Sequence, residues 1–331
     1  MRNLGLKKLL KRAIRVPVYA MLSKRLPPAT DGDRELAGEL RAALRRLSQD
    51  GPSDGSQSEK QWLTHEGRLA DLALHNDPRH FLRWDVIQYT MFATRAAINL
   101  ELAHLRGLPG WKPRWHNALA ESPVGRPLPF WRYPRSSGNL IHHAYNVAQF
   151  EEETETRVED LDYVFEFGGG YGSMCRLFHN LGFQGKYVLY DLPGFSALQE
   201  FYLKSLGKTV QSPDQFSTAS SGIVCVSDLE SLKAVLPSDS EIGKSMFIAT
   251  WSLSESPLSL RDTILSLVSD FQTYLIASQS TYAGTDNIEF FRNWRESRTD
   301  VEWHSWQIEH LGRNFYVVGQ RKQMAPSPVS D

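Results

Sequence analysis

The chain has few cysteines, no long apolar run and almost no net charge, and each shortage excludes a class of protein. Only two cysteines, Cys175 and Cys225, occur in 331 residues, so neither a disulfide framework nor a cysteine-ligated metal site is expected. No window of about 18 apolar residues exists, so no segment is predicted to cross a membrane. A formal net charge of -1 gives no whole-chain argument for a nucleic-acid partner.

Both cysteines lie inside apolar segments, far apart in sequence. We therefore expect buried free thiols and a reducing, cytoplasmic environment. No cluster of His, Asp and Glu has the spacing of metal ligands, so we predict no obligatory metal.

The first 25 residues depart from the neutral balance, because they carry eight basic residues and no acidic one. Apolar residues recur there at helical spacing, at Leu6, Leu9, Leu10 and Ile14. Such a basic amphipathic helix suits peripheral contact of residues 1–25 with the inner face of a membrane, and a flexible or self-packed basic tail is the alternative. Arg15 and Pro17 interrupt the apolar stretch, so we expect no secretory signal.

Periodicity divides the chain into four regions. Residues 1–60 hold the basic segment, a helix from about residue 33 to 47 and a polar linker, while residues 323–331 are predicted to be a disordered tail. Residues 61–158 are predicted to be a helical and irregular substrate lid, with helices at 59–74, 79–106 and 139–152. Six prolines between Gly107 and Gly138 predict irregular structure there.

Residues 159–322 have a different texture, because short apolar runs alternate with helical patterns. Seven runs occur, at residues 163–167, 186–190, 223–226, 246–250, 273–277, 302–309 and 315–319. This alternation predicts an α/β fold, a Rossmann-like doubly wound seven-stranded sheet with a helical N-terminal extension. Only about five residues separate the last two runs, so a hairpin is predicted and the last strand is antiparallel.

The first strand leads into "VFEFGGGYGS", from Val164 to Ser173. Glycines allow positive φ and remove the β-carbons that would hold a ligand away from the main chain. A phosphate-binding Walker loop is excluded because no lysine follows, and a dinucleotide turn fits poorly because its sixth position is Ser173. The stretch matches acidic-x-Gly-x-Gly-x-Gly and resembles motif I of the class I S-adenosylmethionine-dependent methyltransferases.

The resemblance implies S-adenosylmethionine as the cofactor. Asp191, 25 residues after Glu166, ends the second strand, where an acidic side chain can accept from both ribose hydroxyls. NAD enzymes use an acidic residue in the same way, so Asp191 alone does not choose between the two ligands. Asp228 is predicted to lie beside the adenine, with a helix N-cap as the alternative. The predicted cofactor-binding residues are Glu166, Gly168, Gly169, Gly170, Tyr171, Gly172, Asp191, Leu192, Asp228 and Trp251.

Three further stretches, "SGNLIHHAYNVAQFEE", "YVLYDLPGFSALQEFYL" and "TWSLSES", resemble the bacterial sugar O-methyltransferase family, over roughly Arg79 to Lys322. The resemblance implies methyl transfer to a hydroxyl of an activated or glycan-linked sugar, in surface polysaccharide biosynthesis. The alternatives are a catalytically inactive scaffold of the same fold and an NAD-dependent nucleotide-sugar oxidoreductase.

Transfer to a hydroxyl requires a group that takes its proton. In the helix predicted at 139–152, His143 borders the apolar stripe and His142 points nearly opposite, so we expect only one of them to face the pocket, with His143 slightly preferred. Glu255 follows the fourth strand and is the other candidate base. Surface or helix-packing roles for the histidines, and a substrate-orienting role for Glu255, are the alternatives.

Overall fold

The structure, a computed structural model, describes residues 27–47, 55–91, 93–237 and 242–322. The predicted basic helix at residues 1–25 and the predicted tail at 323–331 lie outside these ranges, as do residues 48–54 of the polar linker. Among the described residues, no helix combines the length and the apolar character that a membrane span needs.

Two helices open the described chain, α1 (Asp31–Arg45) and α2 (Gln57–His75), close to their predicted positions. Each begins with a capping box. The hydroxyl of Thr30 or Ser56 accepts from the backbone N–H of the third helical residue, and the carboxylate of that residue accepts from the backbone N–H of Thr30 or Ser56. Helix α1 buries Leu40 and Leu44 against the sheet domain, as their spacing requires.

The single helix predicted from Arg79 to Arg106 is wrong. A 3₁₀ turn (Pro78–Arg83) is followed by two separate helices, α3 (Asp85–Thr90) and α4 (Arg95–Gly107). The chain leaves helical geometry at Trp84, whose φ of -68° and ψ of 144° are extended. Tertiary packing decides this break, because Phe81 inserts edge-on against Tyr171 and Tyr202 of the sheet domain.

The proline-rich segment is more regular than predicted. It contains a π turn (Trp111–Trp115), one α-helical turn (His116–Ala118) and a hairpin of strands β1 (Pro129–Phe130) and β2 (Tyr133–Ser137). Prolines fit this hairpin because an isolated two-stranded ribbon has only edge strands. Helix α5 (Gly138–Thr154) follows, as predicted.

The main sheet confirms the predicted fold class. Its seven predicted strands are present, and an eighth, two-residue strand is added at one edge. In chain order they are β3 (Tyr163–Phe167), β4 (Lys186–Tyr190), β5 (Val210–Gln211), β6 (Gly222–Val226), β7 (Ser245–Thr250), β8 (Thr273–Gln279), β11 (Val301–Gln307) and β12 (Asn314–Arg321). A further small hairpin pairs β9 (Thr281–Tyr282) with β10 (Thr285–Asp286).

The strand order is β11-β12-β8-β7-β3-β4-β6-β5. Strand β12 is antiparallel to both of its neighbours, so the predicted hairpin and antiparallel last strand are confirmed. Strand β3 pairs in parallel with β4 on one side and with β7 on the other. The connections therefore reverse direction between β3 and β7, which is where a doubly wound sheet binds ligands.

Helices cover both faces of this sheet. They are α6 (Ser173–Leu181), α7 (Pro193–Ser205), α8 (Pro213–Thr218), α9 (Leu229–Val235), α10 (Leu258–Leu267) and α11 (Asn287–Ser297). All five residues of β3 are buried, and alternate ones enter two separate cores, Val164 one core and Phe165 the other. The first core also takes residues of α1, α2, α4 and α5, so the N-terminal extension packs onto one face of the sheet.

Both cysteines are free, as predicted. Cys175 is buried, but Cys225 is only half-buried, which corrects the expectation of two buried thiols.

Candidate functional site

A cavity of about 680 Å³ opens at the carboxyl ends of β3, β4 and β7. Its floor is the turn after β3, and its walls come from the ends of the neighbouring strands. The N-terminal extension closes it, because residues of α2, the end of α3 and the first turns of α5 also line it. The cavity therefore belongs jointly to the sheet and to the extension.

Backbone geometry favours glycine at three positions of the turn after β3. Gly168, Gly170 and Gly172 have φ of +73°, +61° and +85°, a region that favours glycine. A β-carbon on Gly168 would lie 2.2 Å from Cβ of Ser252, which follows β7. At Gly169 a β-carbon would lie 2.8 Å from Leu189 Cδ2 and would displace that side chain. The turn thus brings bare main chain to the switch point between β3 and β7.

Asp191 is tied to the same turn. Its Oδ2 accepts from the backbone N–H of Gly170 (3.0 Å) and from Gln199 Nε2 (2.9 Å), and its Oδ1 accepts from the N–H of Leu192 (2.8 Å). Burial raises the pKa of Asp191 to about 7 although these hydrogen bonds oppose the rise. Asp191 and Leu192 both line the cavity, so the carboxylate is held rigidly at its wall.

Glu166 lies beneath the turn. It is buried and accepts a hydrogen bond from Tyr187 Oη at 2.8 Å. Burial raises the pKa of Glu166 to about 8, and the charge of nearby Asp191 adds to the rise. Without a cationic ligand this carboxyl therefore carries a proton at neutral pH, and a positive group in the cavity would favour its ionised form.

Tyr171 and Asn139 form a polar wall beside the turn. Asn139, in the first turn of α5, donates from Nδ2 to Tyr171 Oη at 2.9 Å. Its Oδ1 is buried and accepts no hydrogen bond from the described residues, although Asn139 lines the cavity. A free carbonyl oxygen in this position can accept from a ligand's ammonium or hydroxyl group.

Asp228 does not line the cavity. It caps α9, accepting from the N–H of Ser231 at 2.8 Å, and the preceding residue Ser227 takes the position at the cavity wall. Gly172 is the N-cap residue of α6 and likewise lies outside the lining. Met91 was missed by sequence reasoning, and its Sδ lies 3.1 Å from where a β-carbon of Gly170 would be.

Both histidines line the cavity, so the expectation that only one faces it is wrong. Their ring centroids are 6.3 Å apart. His142 Nδ1 lies 2.7 Å from Oε1 of Glu101, a fully buried residue of α4. The same Oε1 is 2.9 Å from Nε2 of His310, in the turn between β11 and β12.

The two adjacent imidazoles favour the ionised form of Glu101. Burial opposes ionisation, but the two adjacent imidazoles outweigh it and lower the pKa of Glu101 to about 2. An ionised carboxylate accepts hydrogen bonds, so His142 donates from Nδ1. Its Nε2 makes no hydrogen bond to the described residues and is left as the basic nitrogen. Sequence reasoning missed Glu101, whose signal was an acidic residue on the apolar face of a helix.

His143 has a different environment. Burial lowers its pKa to about 3, with a smaller contribution from the neighbouring His142, and its Nδ1 has no partner among the described residues. An imidazole with so low a pKa is a weak proton acceptor at neutral pH. Of the two histidines, His142 has the geometry of a base.

Glu255 lines the cavity next to α2. Its carboxylate accepts from Gln279 Nε2, and its backbone oxygen accepts from Ser58 Oγ. Burial raises its pKa. Trp62 also lines this wall, so an indole, a carboxyl group and an amide face one part of the cavity.

Trp251, directly after β7, connects these parts. Its φ of +66° is uncommon for a bulky residue, and such outliers cluster at functional sites. Its indole Nε1 donates to Asn314 Oδ1 at 2.7 Å, and its ring centroid is 5.1 Å from that of His142. The backbone outlier thus places an aromatic face beside the candidate base.

No set of three or more His, Cys, Asp or Glu side chains in the described part of the chain is arranged to hold a metal ion.

No protein-family model matches the chain, and no curated protein matches it. Among solved structures, the mitomycin 7-O-methyltransferase MmcR is similar over 95% of this chain and 100% of its own, with 13% identity and a TM-score of 0.39. The N-terminal domain of human METTL16 in complex with SAH is similar over 68% of this chain and 81% of its own, with 11% identity and a TM-score of 0.38.

A precorrin-6y C5,15-methyltransferase from Geobacter metallireducens is similar over 55% of this chain and 87% of its own, with 14% identity and a TM-score of 0.36. At these identities and TM-scores the likenesses assign neither a family nor an activity to this chain.

Proposed function

We propose that this protein is an S-adenosylmethionine-dependent O-methyltransferase. The observation that carries the proposal is that one cavity joins the glycine turn and Asp191 at one wall to the Glu101–His142 pair at another. The first wall suits a nucleoside that carries an amino acid group. The second supplies a base for an acceptor hydroxyl.

The residues fit the cofactor. Asp191 keeps a free lone pair on Oδ1, since Oδ2 already accepts from Gly170 and Gln199, and it stands at the end of β4, where ribose hydroxyls bind in doubly wound folds. The turn of Gly168 to Gly170 presents main chain at the cavity lining, and the unpartnered Asn139 Oδ1 can accept from an ammonium group. Glu166 beneath the turn adds a carboxyl whose ionised form a cation would favour.

When bound, S-adenosylmethionine supplies an electrophilic methyl group on a sulfonium sulfur. The protein's part is to hold the acceptor oxygen in line with that methyl and to remove its proton. His142 Nε2 takes the proton, while Glu101 fixes the ring orientation and stabilises the positive charge that forms on the imidazole. Base assistance of this kind contributes about 10²–10⁴-fold.

The acceptor that we propose is a sugar hydroxyl. The sequence resemblance to sugar O-methyltransferases supports it, and so does the wall formed by Trp62, Glu255 and Gln279. An aromatic face beside a carboxyl group and an amide suits a ring that carries apolar C–H groups on one side and hydroxyls around its edge.

The test is calorimetric titration with S-adenosylmethionine, S-adenosylhomocysteine and NAD in parallel. We expect the first two to bind with Kd in the range of about 1 μM to 1 mM, typical of enzyme ligands, and NAD not to bind. Asp191→Asn should weaken binding of both at least about tenfold, since a carboxylate acceptor is lost. The matched control is Asp160→Asn, which removes an exposed carboxylate that does not line the cavity.

Binding of NAD alone would favour the oxidoreductase, and no binding of any of the three would favour the scaffold. If cofactor binding is found, release of S-adenosylhomocysteine in the presence of candidate nucleotide-sugars and glycans identifies the acceptor. Turnover with amines but with no hydroxyl compound would contradict the O-methyl assignment.

A further inference from the structure

A second group of charged side chains lies outside the cavity lining. It consists of His80 and Arg83, on the 3₁₀ turn before α3, and Arg126, in the turn that leads to β1. We call these three residues the Arg83–Arg126 cluster. None of them lines the cavity described above.

The cluster is held in place by the backbone. Gly125 and Arg126 have φ of +76° and +55°, so two successive residues are left-handed. The oxygen of Gly125 accepts from the N–H of Leu82 at 3.0 Å, and the oxygen of Arg126 accepts from Arg83 Nε at 2.7 Å. A left-handed backbone conformation is unfavourable for arginine, so these hydrogen bonds are needed to maintain it. The conformation brings the two guanidinium groups together.

His80 completes the cluster. Its Nδ1 lies 3.3 Å from Arg126 Nη1. Burial lowers the pKa of His80, and although Asp77 opposes this, the charges of Arg126, Arg79 and Arg83 lower it further. The imidazole is therefore neutral at pH 7, and its Nδ1 accepts from Arg126 and orients the guanidinium.

The two arginines have no counter-ion among the residues that the structure describes. No carboxylate of the described residues lies within salt-bridge distance of Arg83 or Arg126, and burial and the charge of Arg126 lower the pKa of Arg83. Asp77 Oδ2 is 3.9 Å from His80 Nε2, but it is paired with Arg79 Nη2 at 2.8 Å. Arg83 Nη2 and Arg126 Nε are also buried without partners in the described structure.

Two adjacent, uncompensated guanidinium groups with unpaired N–H donors are costly unless an anion joins them. We propose that the Arg83–Arg126 cluster binds the phosphoryl group of a small molecule. Planar guanidinium groups match the oxygens of a tetrahedral oxyanion, and two of them can contact the same phosphorus-bound oxygens from two sides. The accessible nitrogens for this contact are Arg83 Nη1 and Arg126 Nη2, which make no hydrogen bond to the described residues.

A short stretch of chain joins the Arg83–Arg126 cluster to the cavity. Arg83 ends the 3₁₀ turn, α3 follows after Trp84, and Met91 at the end of α3 faces Gly170 in the glycine turn. An anion on the cluster would hold both the 3₁₀ turn and the turn at Arg126. The proposal does not depend on the identity of the cavity's ligand.

The test uses the full-length protein with inorganic phosphate and pyrophosphate as probes, at constant ionic strength maintained with sodium chloride. Chemical shifts of the His80 ring protons report binding by nuclear magnetic resonance. We expect saturable shifts with half-saturation at about 1 mM or below for pyrophosphate, and an increase in the apparent pKa of His80, because a bound anion favours the imidazolium.

Arg126→Gln should weaken pyrophosphate binding at least about tenfold, and Arg126→Lys, which keeps the charge but loses the planar donor pair, should weaken it less. The control Arg132→Gln removes an exposed arginine that rests on Trp131, and it should bind as the wild type does. Circular dichroism spectra of all variants show whether they are folded. Equal weakening in Arg126→Gln and Arg132→Gln, or shifts that do not saturate, would mean non-specific charge screening only and would overturn the proposal.

Discussion

Replacement of Gly168 by alanine tests whether the main chain at the switch point is as close-packed as the structure shows. Two costs are expected. The φ of +73° is unfavourable for alanine by about 1–2 kcal/mol. The new β-carbon would also lie 2.2 Å from Ser252 Cβ and 2.8 Å from Ser252 Oγ, and overpacking of this kind costs typically about 1–3 kcal/mol more.

Gly207 provides the matched control. Its φ is +75°, but a β-carbon there has no other atom within 4 Å. Gly207→Ala therefore carries only the conformational cost of about 1–2 kcal/mol, whereas Gly168→Ala should reduce the free energy of unfolding by about 2–5 kcal/mol. Urea unfolding with linear extrapolation measures both, and unchanged m values would show that the same two states are compared.

The double variant Gly168→Ala with Ser252→Gly isolates the steric contribution. Without the serine side chain, the nearest atom to the new β-carbon is Cα of residue 252 at 3.6 Å, an ordinary contact. We expect the double variant to be more stable than the sum of the single effects by about 1–3 kcal/mol. Equal destabilisation by Gly168→Ala and Gly207→Ala, or the absence of coupling with Ser252, would refute the close approach. Binding of S-adenosylmethionine should weaken in Gly168→Ala and stay unchanged in Gly207→Ala.

Three other predictions concern the titrating groups of the cavity. His142→Gln should reduce kcat for methyl transfer by about 10²–10⁴-fold with little change in cofactor affinity, while His143→Gln should reduce kcat much less. Steady-state kinetics with an acceptor that supports turnover measures both, and the larger loss would occur in His143→Gln if His143 were the base. Binding of S-adenosylmethionine near pH 7 should release protons. The pKa values of Asp191 (about 7) and Glu166 (about 8) are raised, so these carboxyl groups carry protons that a cationic ligand displaces. Calorimetry in two buffers of different ionisation enthalpy measures the release, and proton uptake would contradict the prediction. The folded-state pKa of Glu166 is raised above 4.5, so between about pH 4.5 and 8 the folded protein binds more protons than the unfolded chain, and the free energy of unfolding falls as pH rises. Glu166→Gln should flatten this pH dependence in urea unfolding. An unchanged slope would mean that another group titrates.

The sequence by itself determined the sheet and its central turn. Seven runs of strand length, separated by helical patterns, predicted strands that the structure confirms. Strands that are buried on both faces are continuous apolar segments, whereas the edge strand β11 is largely exposed. The short connection before Asn314 predicted a hairpin and the antiparallel last strand for reasons of chain length alone. The glycines of the turn after β3 were recognisable because positive φ restricts residue choice locally.

Only the tertiary structure decided which distant side chains meet. Glu101, His142 and His310 come from a helix, another helix and a strand connection, and no sequence spacing relates them. The break at Trp84 in the predicted long helix was likewise invisible, since it depends on Phe81 packing against the sheet domain. Local geometry is encoded within a few residues, whereas the environment of a titrating group is set by burial and by partners brought together from the whole chain.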